Sequence, residues 1–404
     1  MQKNNNELNI LNNKNIPSKE EKKELKEKII TYTWERDSHG LFDYENTNYH
    51  IQYFDPENKF LLRNNNENIN NNKIILSSLE EESFQTLCQV KILNNNKILL
   101  STKIEHDLPI NSNTLNALQE KIWYVIKPSY HDYKHKFNSN YEYELKKNDI
   151  LKLGRIKFIV KELNIVDGNS ESSIETFIPY EVNNNQNIEN QEKCRICYSI
   201  DNTEENPMIS VCKCKGSMNL HFECLKLWLN SQLIKTDFKG QLGVSYTVKK
   251  FNCELCHEPY PLTIKIKNKL YNLLNYVIPE GQNYVVLQSL NSIKENEYPL
   301  NIHVLMFIEN ETNYTLGRGH DSDIRISDIS VSRNHARIFM KNRKYYMEDM
   351  NSKFGSLVLA KNDVSLLNHN IFQIGRTVIF LGKEKKPETE IQKFKKYFEN
   401  IEIE

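Results

Sequence analysis

The sequence has no run of apolar residues approaching the roughly 18 that a bilayer-crossing helix needs, so no membrane span is expected. Its start lacks an apolar segment too: Met1–Asn15 is rich in asparagine, which argues against a secretory signal. Charge of one sign is not in excess, with 53 Lys and Arg against 53 Asp and Glu. The charged stretch Lys19–Ile29 alternates lysine with glutamate, so it reads as a short solvated helix and not as an arm for nucleic acid. Cysteine is scarce outside one region: of eight, seven lie between Cys194 and Cys256, and Cys88 stands apart. Tight clustering without a secretion signal favours metal in a reducing compartment over disulfides. An intracellular protein, cytoplasmic or nuclear, is the resulting expectation.

Asparagine runs such as Asn64–Asn66, Asn70–Asn72, Asn94–Asn96 and Asn183–Asn185 carry too little apolar surface to fold and read as enlarged loops or linkers. Between them, from Thr31 to about Val166, short apolar and aromatic runs (Tyr49–Phe54, Lys73–Leu76, Trp123–Ile126) favour a β-rich domain. That stretch ends in Asn148–Arg155 (NDILKLGR) followed by Ile156–Val160. The second β-rich stretch ends in His369–Arg376 (HNIFQIGR) followed by Thr377–Leu381. Each reads as a strand, a glycine turn and a closing strand, which suggests two copies of one fold, the first heavily altered. The expected layout has 1–30 disordered or a short charged helix, 31–166 β-rich and 181–191 an Asn-rich linker. A cysteine module at 192–262 follows, then a helical linker at 263–283 (Leu262–Val277 has helical spacing), a second β-rich domain at 284–384 and a charged tail at 385–404. The fold class is multidomain and mainly β, with a small α+β zinc module between sandwich-type domains.

Within the cysteine module the candidate ligands read Cys194-x2-Cys197, 14 residues, Cys212-x-Cys214, six residues, His221-x2-Cys224, 28 residues, Cys253-x2-Cys256. Zinc takes four soft or borderline ligands in a tetrahedron, and a Cys-x2-Cys pair turns tightly enough to supply two. Alternating the pairs lets one small domain hold two ions: Cys194, Cys197, His221 and Cys224 for the first zinc, Cys212, Cys214, Cys253 and Cys256 for the second. Four protein ligands leave no open position, so both zincs are expected to be structural. His257 follows the last ligand and reads as a solvated surface residue.

These blocks, with Lys215-Gly216-Ser217 after the third pair and Trp228-Leu229 after Cys224, resemble the RING-CH or RING-variant family. Leu225, Trp228, Leu229 and Leu233 share one helical face. A plant-homeodomain finger has a related ligand order, and Phe251 weakly mimics its aromatic before the seventh ligand, but the Gly-Ser and Trp228 favour RING-CH. The resemblance implies ubiquitin ligation, in which the zinc scaffold presents a shallow apolar groove to a ubiquitin-conjugating enzyme and does no bond chemistry itself. It implies Ile196, Trp228 and Leu255 as contacts to that enzyme. For Ile196 and Leu255, core packing around the zincs is the competing reading. The Cys214–His221 gap is one residue short of the family's pattern. His257 also replaces the Arg or Lys that often follows the last ligand.

Further on, Leu316-Gly317-Arg318-Gly319, Ser332-Arg333-Asn334-His335 and Asp349–Ser356 (DMNSKFGS) punctuate strand-like runs. Loops of a β-sandwich can gather at one end, and a guanidinium fork, a hydroxyl and backbone N–H groups suit a phosphate dianion. The three blocks resemble the forkhead-associated (FHA) family, which binds phosphothreonine peptides. The resemblance implies Arg318 and Ser332 as the phosphate pair, Arg333 and Lys353 as further contacts, and His335 as a structural histidine. Phe354-Gly355-Ser356 stands where the family has Asn-Gly-Thr. The stretch 31–166 lacks the Gly-Arg and Ser-x-x-His blocks, so a degenerate FHA-like domain without a phosphate site is expected there.

The leading expectation is a soluble RING-CH ubiquitin ligase with two zinc ions per chain, recruiting phosphothreonine proteins through its FHA domain. The alternative is a zinc-binding phosphoprotein adaptor without ligase activity, which His257 and the short gap favour.

Overall fold

Side chains that alternate between buried and half-exposed, as along Ala336–Lys341 and Lys344–Asp349, mark strands with one face on a core. That pattern dominates the computed structural model of this chain. It describes residues 27–383 except 35–39, 46–48, 65–72, 81–83, 94–96, 102–117, 119–120, 127–141, 167–179, 182–192, 215–218, 267–268, 279, 291–299 and 367–369.

The first β-rich stretch supplies β1 (Glu27–Trp34), β2 (Tyr49–Phe54), β3 (Phe60–Asn64), β4 (Ile74–Ser77), β5 (Phe84–Ile92), β6 (Ile98–Ser101) and β7 (Trp123–Ile126). After these come β8 (Tyr143–Glu144), β9 (Ile150–Leu153) and β10 (Ile156–Asn164). The cysteine region holds β11 (Tyr180–Glu181), β12 (Met208–Ile209), β13 (Leu220–His221), α1 (Phe222–Ser231), β14 (Leu233–Asp237), β15 (Val244–Val248), β16 (Thr263–Ile266) and β17 (Lys269–Asn272). The second stretch gives β18 (Asn283–Leu290), β19 (Leu300–Phe307), β20 (Asn313–Gly317), β21 (Ile324–Arg325), β22 (Ala336–Lys341) and β23 (Lys344–Asp349). It ends in β24 (Ser356–Leu359), β25 (Val364–Ser365), β26 (Ile371–Ile374) and β27 (Thr377–Lys383).

One sheet of 12 strands runs β14-β15-β19-β18-β10-β9-β24-β7-β26-β27-β1-β2. From the central β24–β7 pair outward, the order is β9-β10-β18-β19 on one side and β26-β27-β1-β2 on the other. Two five-stranded sheets complete the sandwiches, β21-β20-β22-β23-β8 and β25-β6-β5-β3-β4. The two lobes therefore share one strand order.

They also exchange strands. The β9–β10 hairpin belongs to the first stretch in sequence but pairs with β24 (Leu151 opposite Val358) and with β18 (Lys157 opposite Leu290). Reciprocally, β26–β27 from the chain's end pairs with β7 and β1 (Gln373 opposite Trp123, Ile30 opposite Phe380). Residues 31–166 and 284–384 are thus not two self-contained sandwiches, as their order in the sequence suggests. Each lobe is built from both.

The packing explains why the hairpin belongs where it lies. Leu151, Leu153, Phe158 and Val160 are buried in one core with Val285, Leu287, Leu305, Phe307 and Leu316. At roughly 1.5–3 kcal/mol per buried side chain, the four contribute about 6–12 kcal/mol as an upper bound. That matches the whole stability of a typical domain, about 5–15 kcal/mol. Gly154, with φ +59°, turns the hairpin against the second stretch, where any Cβ would sit 2.5 Å from the Ser330 carbonyl oxygen. At the seam, Lys152 Nζ and Gln373 Nε2, from equivalent positions of the two hairpins, both donate to the Gly40 carbonyl at 2.8 and 3.3 Å.

Two local expectations are corrected. Residues 263–283 hold no helix among those described: β16 and β17 form a hairpin, with β11 parallel to β16. Thr263-Ile264-Lys265-Ile266 alternates with period two and buries Ile264 and Ile266. Glu27–Ile30 is strand β1 instead of part of a charged helix, because Ile29 and Ile30 are buried against β27. The rest of 1–30, the tail from 384, and the 181–191 linker beyond Glu181 lie outside the described residues.

A fragment spanning 284–383 lacks β9 and β10 from the middle of its sheet and is expected to show no cooperative thermal transition by calorimetry. A chain joining 142–166 to the end of 283–359 restores them and is expected to show one.

Candidate functional site

The cysteine region builds the same loop twice. The Cys194 N–H donates to the Ser199 carbonyl at 2.8 Å and the Tyr198 N–H to the Cys194 carbonyl at 2.8 Å. Cys253 N–H donates to Glu258 O at 2.8 Å and His257 N–H to Cys253 O at 2.9 Å. The residue after each second cysteine is left-handed, Tyr198 at φ +61° and His257 at φ +57°. That sharp turn folds each Cys-x2-Cys pair around one point. Histidine is among the side chains enriched in that conformation.

β12 and β13 pair to present His221, and α1 starts beside it with Cys224 in its first turn. Ligand atoms of Cys194, Cys197, His221 and Cys224 lie within 4.8 Å of one another, as do those of Cys212, Cys214, Cys253 and Cys256. A zinc tetrahedron with Zn–S of about 2.3 Å has S···S edges of about 3.8 Å. The Cys214–Cys253 sulfurs are 3.8 Å apart, and His221 Nδ1 lies 3.2 and 3.8 Å from the Cys197 and Cys224 sulfurs. His221 Nε2 is occupied by the Asp201 carbonyl, which leaves Nδ1 as the ligand atom and orients the ring.

The charge state fits as well. Burial raises the Cys194 thiol, but N–H groups of Cys197, His221 and Ile196 outweigh it and bring it down to about 6. Burial likewise opposes the N–H groups of Cys256 and Leu255 at Cys253, which ends near 7. Burial and then neighbouring sulfurs push Cys224 up to about 12. Several thiolates cannot share so small a volume without a cation, and a dication is what these donors suit. The two clusters fit two closed structural zinc sites.

α1 buries Phe222, Leu225 and Leu229. Trp228 is half-buried, its ring edge-on to Tyr260 at 6.5 Å. Ile196 and Leu255 occupy equivalent positions in the two loops and are 39% and 49% exposed, so core packing does not account for them. Sequence reasoning missed Tyr198, Ile200 and Leu227, all exposed nearby in sequence.

In the C-terminal lobe three loops knit together. Arg318 N–H donates to Ser332 O and Gly319 N–H to Arg333 O, both at 2.9 Å. Gly317 permits this closeness, since a Cβ there would lie 2.1 Å from Arg333 O. Buried His335 accepts from the Ser332 N–H at 3.0 Å through Nδ1 and reaches Gly355 O at 3.2 Å through Nε2. Ser332 Oγ accepts from the Lys353 N–H at 3.0 Å. Asp349 holds the third loop through the Ser352 N–H and the Ser352 and Ser356 hydroxyls. Arg318, Arg333 and Lys353 are exposed around half-buried Ser332.

Two features come from the strand exchange and had no signal in the local motifs. Arg155, beside Gly154, donates its N–H to Ser330 Oγ at 2.9 Å and pairs with buried Asp328 at 3.1 Å. The β9–β10 turn thereby props the loop that leads to Ser332. Lys353 Nζ pairs with Asp43 at 3.2 Å and Glu45 at 3.9 Å, so its charge is shared with carboxylates of the first stretch.

Family matching agrees with this geometry, finding a RING-variant domain over residues 194–256 and an FHA domain over 314–379. The chain contains a RING-variant domain and an FHA domain. The FHA match runs through β26 and into β27, which lie in the other lobe. A curated relative, the ERAD-associated E3 ubiquitin-protein ligase DOA10 of Saccharomyces cerevisiae, is 34% identical over 73 residues; the match spans 18% of this chain and 5% of that protein. Among solved structures, an FHA domain from a study of phosphothreonine-dependent FHA domain interactions is 20% identical, with TM-score 0.12, covering 20% of this chain and 85% of that one. The FHA domain of a Chlamydia trachomatis protein is 24% identical, with TM-score 0.12, covering 20% and 86%. No helix among the described residues is long and apolar enough to cross a membrane.

Elemental analysis of the purified chain is expected to give two zinc ions. Because such sites contribute about 10–16 kcal/mol to folding small modules, a strong chelator is expected to abolish the near-UV signal of the RING-variant domain.

Proposed function

We propose that the protein is a ubiquitin–protein ligase that brings a charged ubiquitin-conjugating enzyme and a phosphothreonine protein together. The observation that carries this reading is the coexistence of two closed zinc clusters, with Ile196 and Leu255 exposed on matching loops, and a cationic FHA loop set around Ser332.

The zinc module supplies a surface and no reacting group. Ile196 and Leu255 offer apolar contact, and half-buried Trp228 on α1 offers an aromatic anchor of the kind that dominates small interfaces. At the FHA loops, Arg318 offers a fork for two phosphate oxygens and Ser332 a hydroxyl, with Arg333 adding charge. Lys353 contributes less than its position in the motif implies, because Asp43 and Glu45 compete for its ammonium. Arg155 acts as a positioning residue through Asp328 and Ser330. The N-terminal lobe, which repeats the strand order without the Gly-Arg and Ser-x-x-His blocks, has a structural role in this reading.

One observation favours a second reading. His257 stands exposed at the position where an Arg or Lys would help hold conjugated ubiquitin. A zinc-stabilised adaptor that binds phosphoproteins without transferring ubiquitin is the form this reading takes.

Arg318→Ala is expected to weaken a phosphothreonine peptide by roughly 1.5–3 kcal/mol, about 10- to 150-fold in Kd, by isothermal titration. Equal affinities would remove the phosphate assignment. For the zinc module, Trp228→Ala is expected to cut ubiquitin discharge from the conjugating enzyme while both zincs stay bound, and His257→Arg to raise it. If wild type and both variants are inert across a broad panel of conjugating enzymes, the adaptor reading replaces the ligase reading.

A further inference from the structure

The RING-variant domain holds 28 residues between Cys224 and Cys253, and they do not form a loose loop. β14 and β15 make a hairpin at the end of the 12-stranded sheet, and β15 pairs along its full length with β19, from Val244 opposite Val304 to Val248 opposite Leu300. Side chains reinforce the pairing: Thr247 Oγ1 donates to Asn301 Oδ1 at 2.8 Å, and Ser245 Oγ lies 2.9 Å from His303 Nδ1.

One apolar core then spans both sides of this junction. Leu225, Leu229, Cys253 and Tyr260 of the zinc module are buried with Val244, Tyr246 and Val248 of the hairpin and with Val286, Ile302 and Val304 of the sandwich. At the hairpin's turn, Phe238 packs on Tyr314 with ring centres 5.7 Å apart. Tyr314 lies on β20, the strand that leads directly into Gly317 and Arg318. A further tie comes at the end of α1, where Asn230 donates to Leu273 O at 2.8 Å and accepts from the Asn275 N–H at 2.7 Å.

We infer that the zinc module and the phosphate loops form one rigid body, so that the protein selects its acceptor lysine by its separation from the phosphothreonine. The inference rests on the ligase reading and names its substrate class: phosphothreonine proteins with a lysine inside one narrow range of distances. A flexible tether of n residues would smear that range over about 5–6 Å times the square root of n, and here hydrogen-bonded strands take the tether's place. In the transfer itself, the neutral lysine amine attacks the thioester carbonyl joining ubiquitin's C-terminus to the conjugating enzyme's cysteine. An isopeptide bond forms, the C–S bond breaks, the thiolate leaves, and the amine's proton passes to solvent.

The test uses the full chain and a ladder of phosphothreonine peptides, each with one lysine displaced by a further residue along a proline-rich spacer. Such spacers extend about 3.1 Å per residue, so each peptide sets a defined separation. Peptide affinity, discharge of the conjugating enzyme onto free lysine, and transfer to the peptide are measured in parallel. With equal affinities, transfer is expected to peak over a few adjacent positions and fall by roughly tenfold or more on either side. Rates within about twofold along the whole ladder, with vigorous discharge onto free lysine, overturn rigid selection and leave the ligase reading standing. No discharge onto free lysine overturns the ligase reading and this inference with it. A readout free of activity is hydrogen exchange: β15 amides are expected to be protected like those of β18 and β19. Exchange of β15 as a separate, faster unit contradicts the rigid body.

Discussion

The seating of the Ile150–Asn164 hairpin in the second lobe is the constraint on which the rest of the structure depends. Four of its apolar side chains, Leu151, Leu153, Phe158 and Val160, fill the core beneath β20 and β22, and its Gly154 turn approaches Ser330 so closely that no side chain fits between. From that one docking the consequences spread in sequence. Arg155 reaches Asp328 and props the loop leading to Ser332. β24 gains a neighbour on each side, and the two sandwiches fuse through β24 and β7 into one long sheet. The hairpin at the end of the chain then fills the equivalent place in the first lobe.

Metal and strand pairing divide the work of stability. Around Cys194–Cys256 the described backbone holds one helix and short strands, so the two four-ligand clusters fix the loops that apolar burial alone cannot. Away from the metal, the domain is held by the sandwich: its long insert lies in the 12-stranded sheet, and its helix shares a core with β15 and β19. The zinc module and the C-terminal lobe are therefore joined by continuous strand pairing and by one apolar core.

Sequence made the zinc ligands legible because tetrahedral thiolate sites impose short, fixed spacings, and the two alternating sets of four are the clusters that the structure brings together. The strands around Gly154 and Gly375 were legible from their alternation and turns. Which lobe each hairpin joins was not. Ile150-Leu151-Lys152-Leu153-Gly154-Arg155 and Ile371-Phe372-Gln373-Ile374-Gly375-Arg376 carry the same pattern, and long-range packing alone decides between them. The 263–283 segment was misread because Leu262, Ile266 and Leu273 fit a helical period while Thr263–Ile266 fits a strand. The ion pair of Lys353 with Asp43 joins residues from opposite ends of the chain, and no local motif announces such a contact.

Methyl–methyl nuclear Overhauser spectroscopy on the full chain, labelled at isoleucine, leucine and valine, tests the exchange most directly. Leu151 and Val358 face each other across β9 and β24, and both are buried in the same core. A strong cross-peak between their methyl groups is expected. If Val358 instead shows cross-peaks to Ile371 and Ile374 and none to Leu151, the C-terminal sandwich is closed by its own hairpin and the exchanged arrangement is wrong.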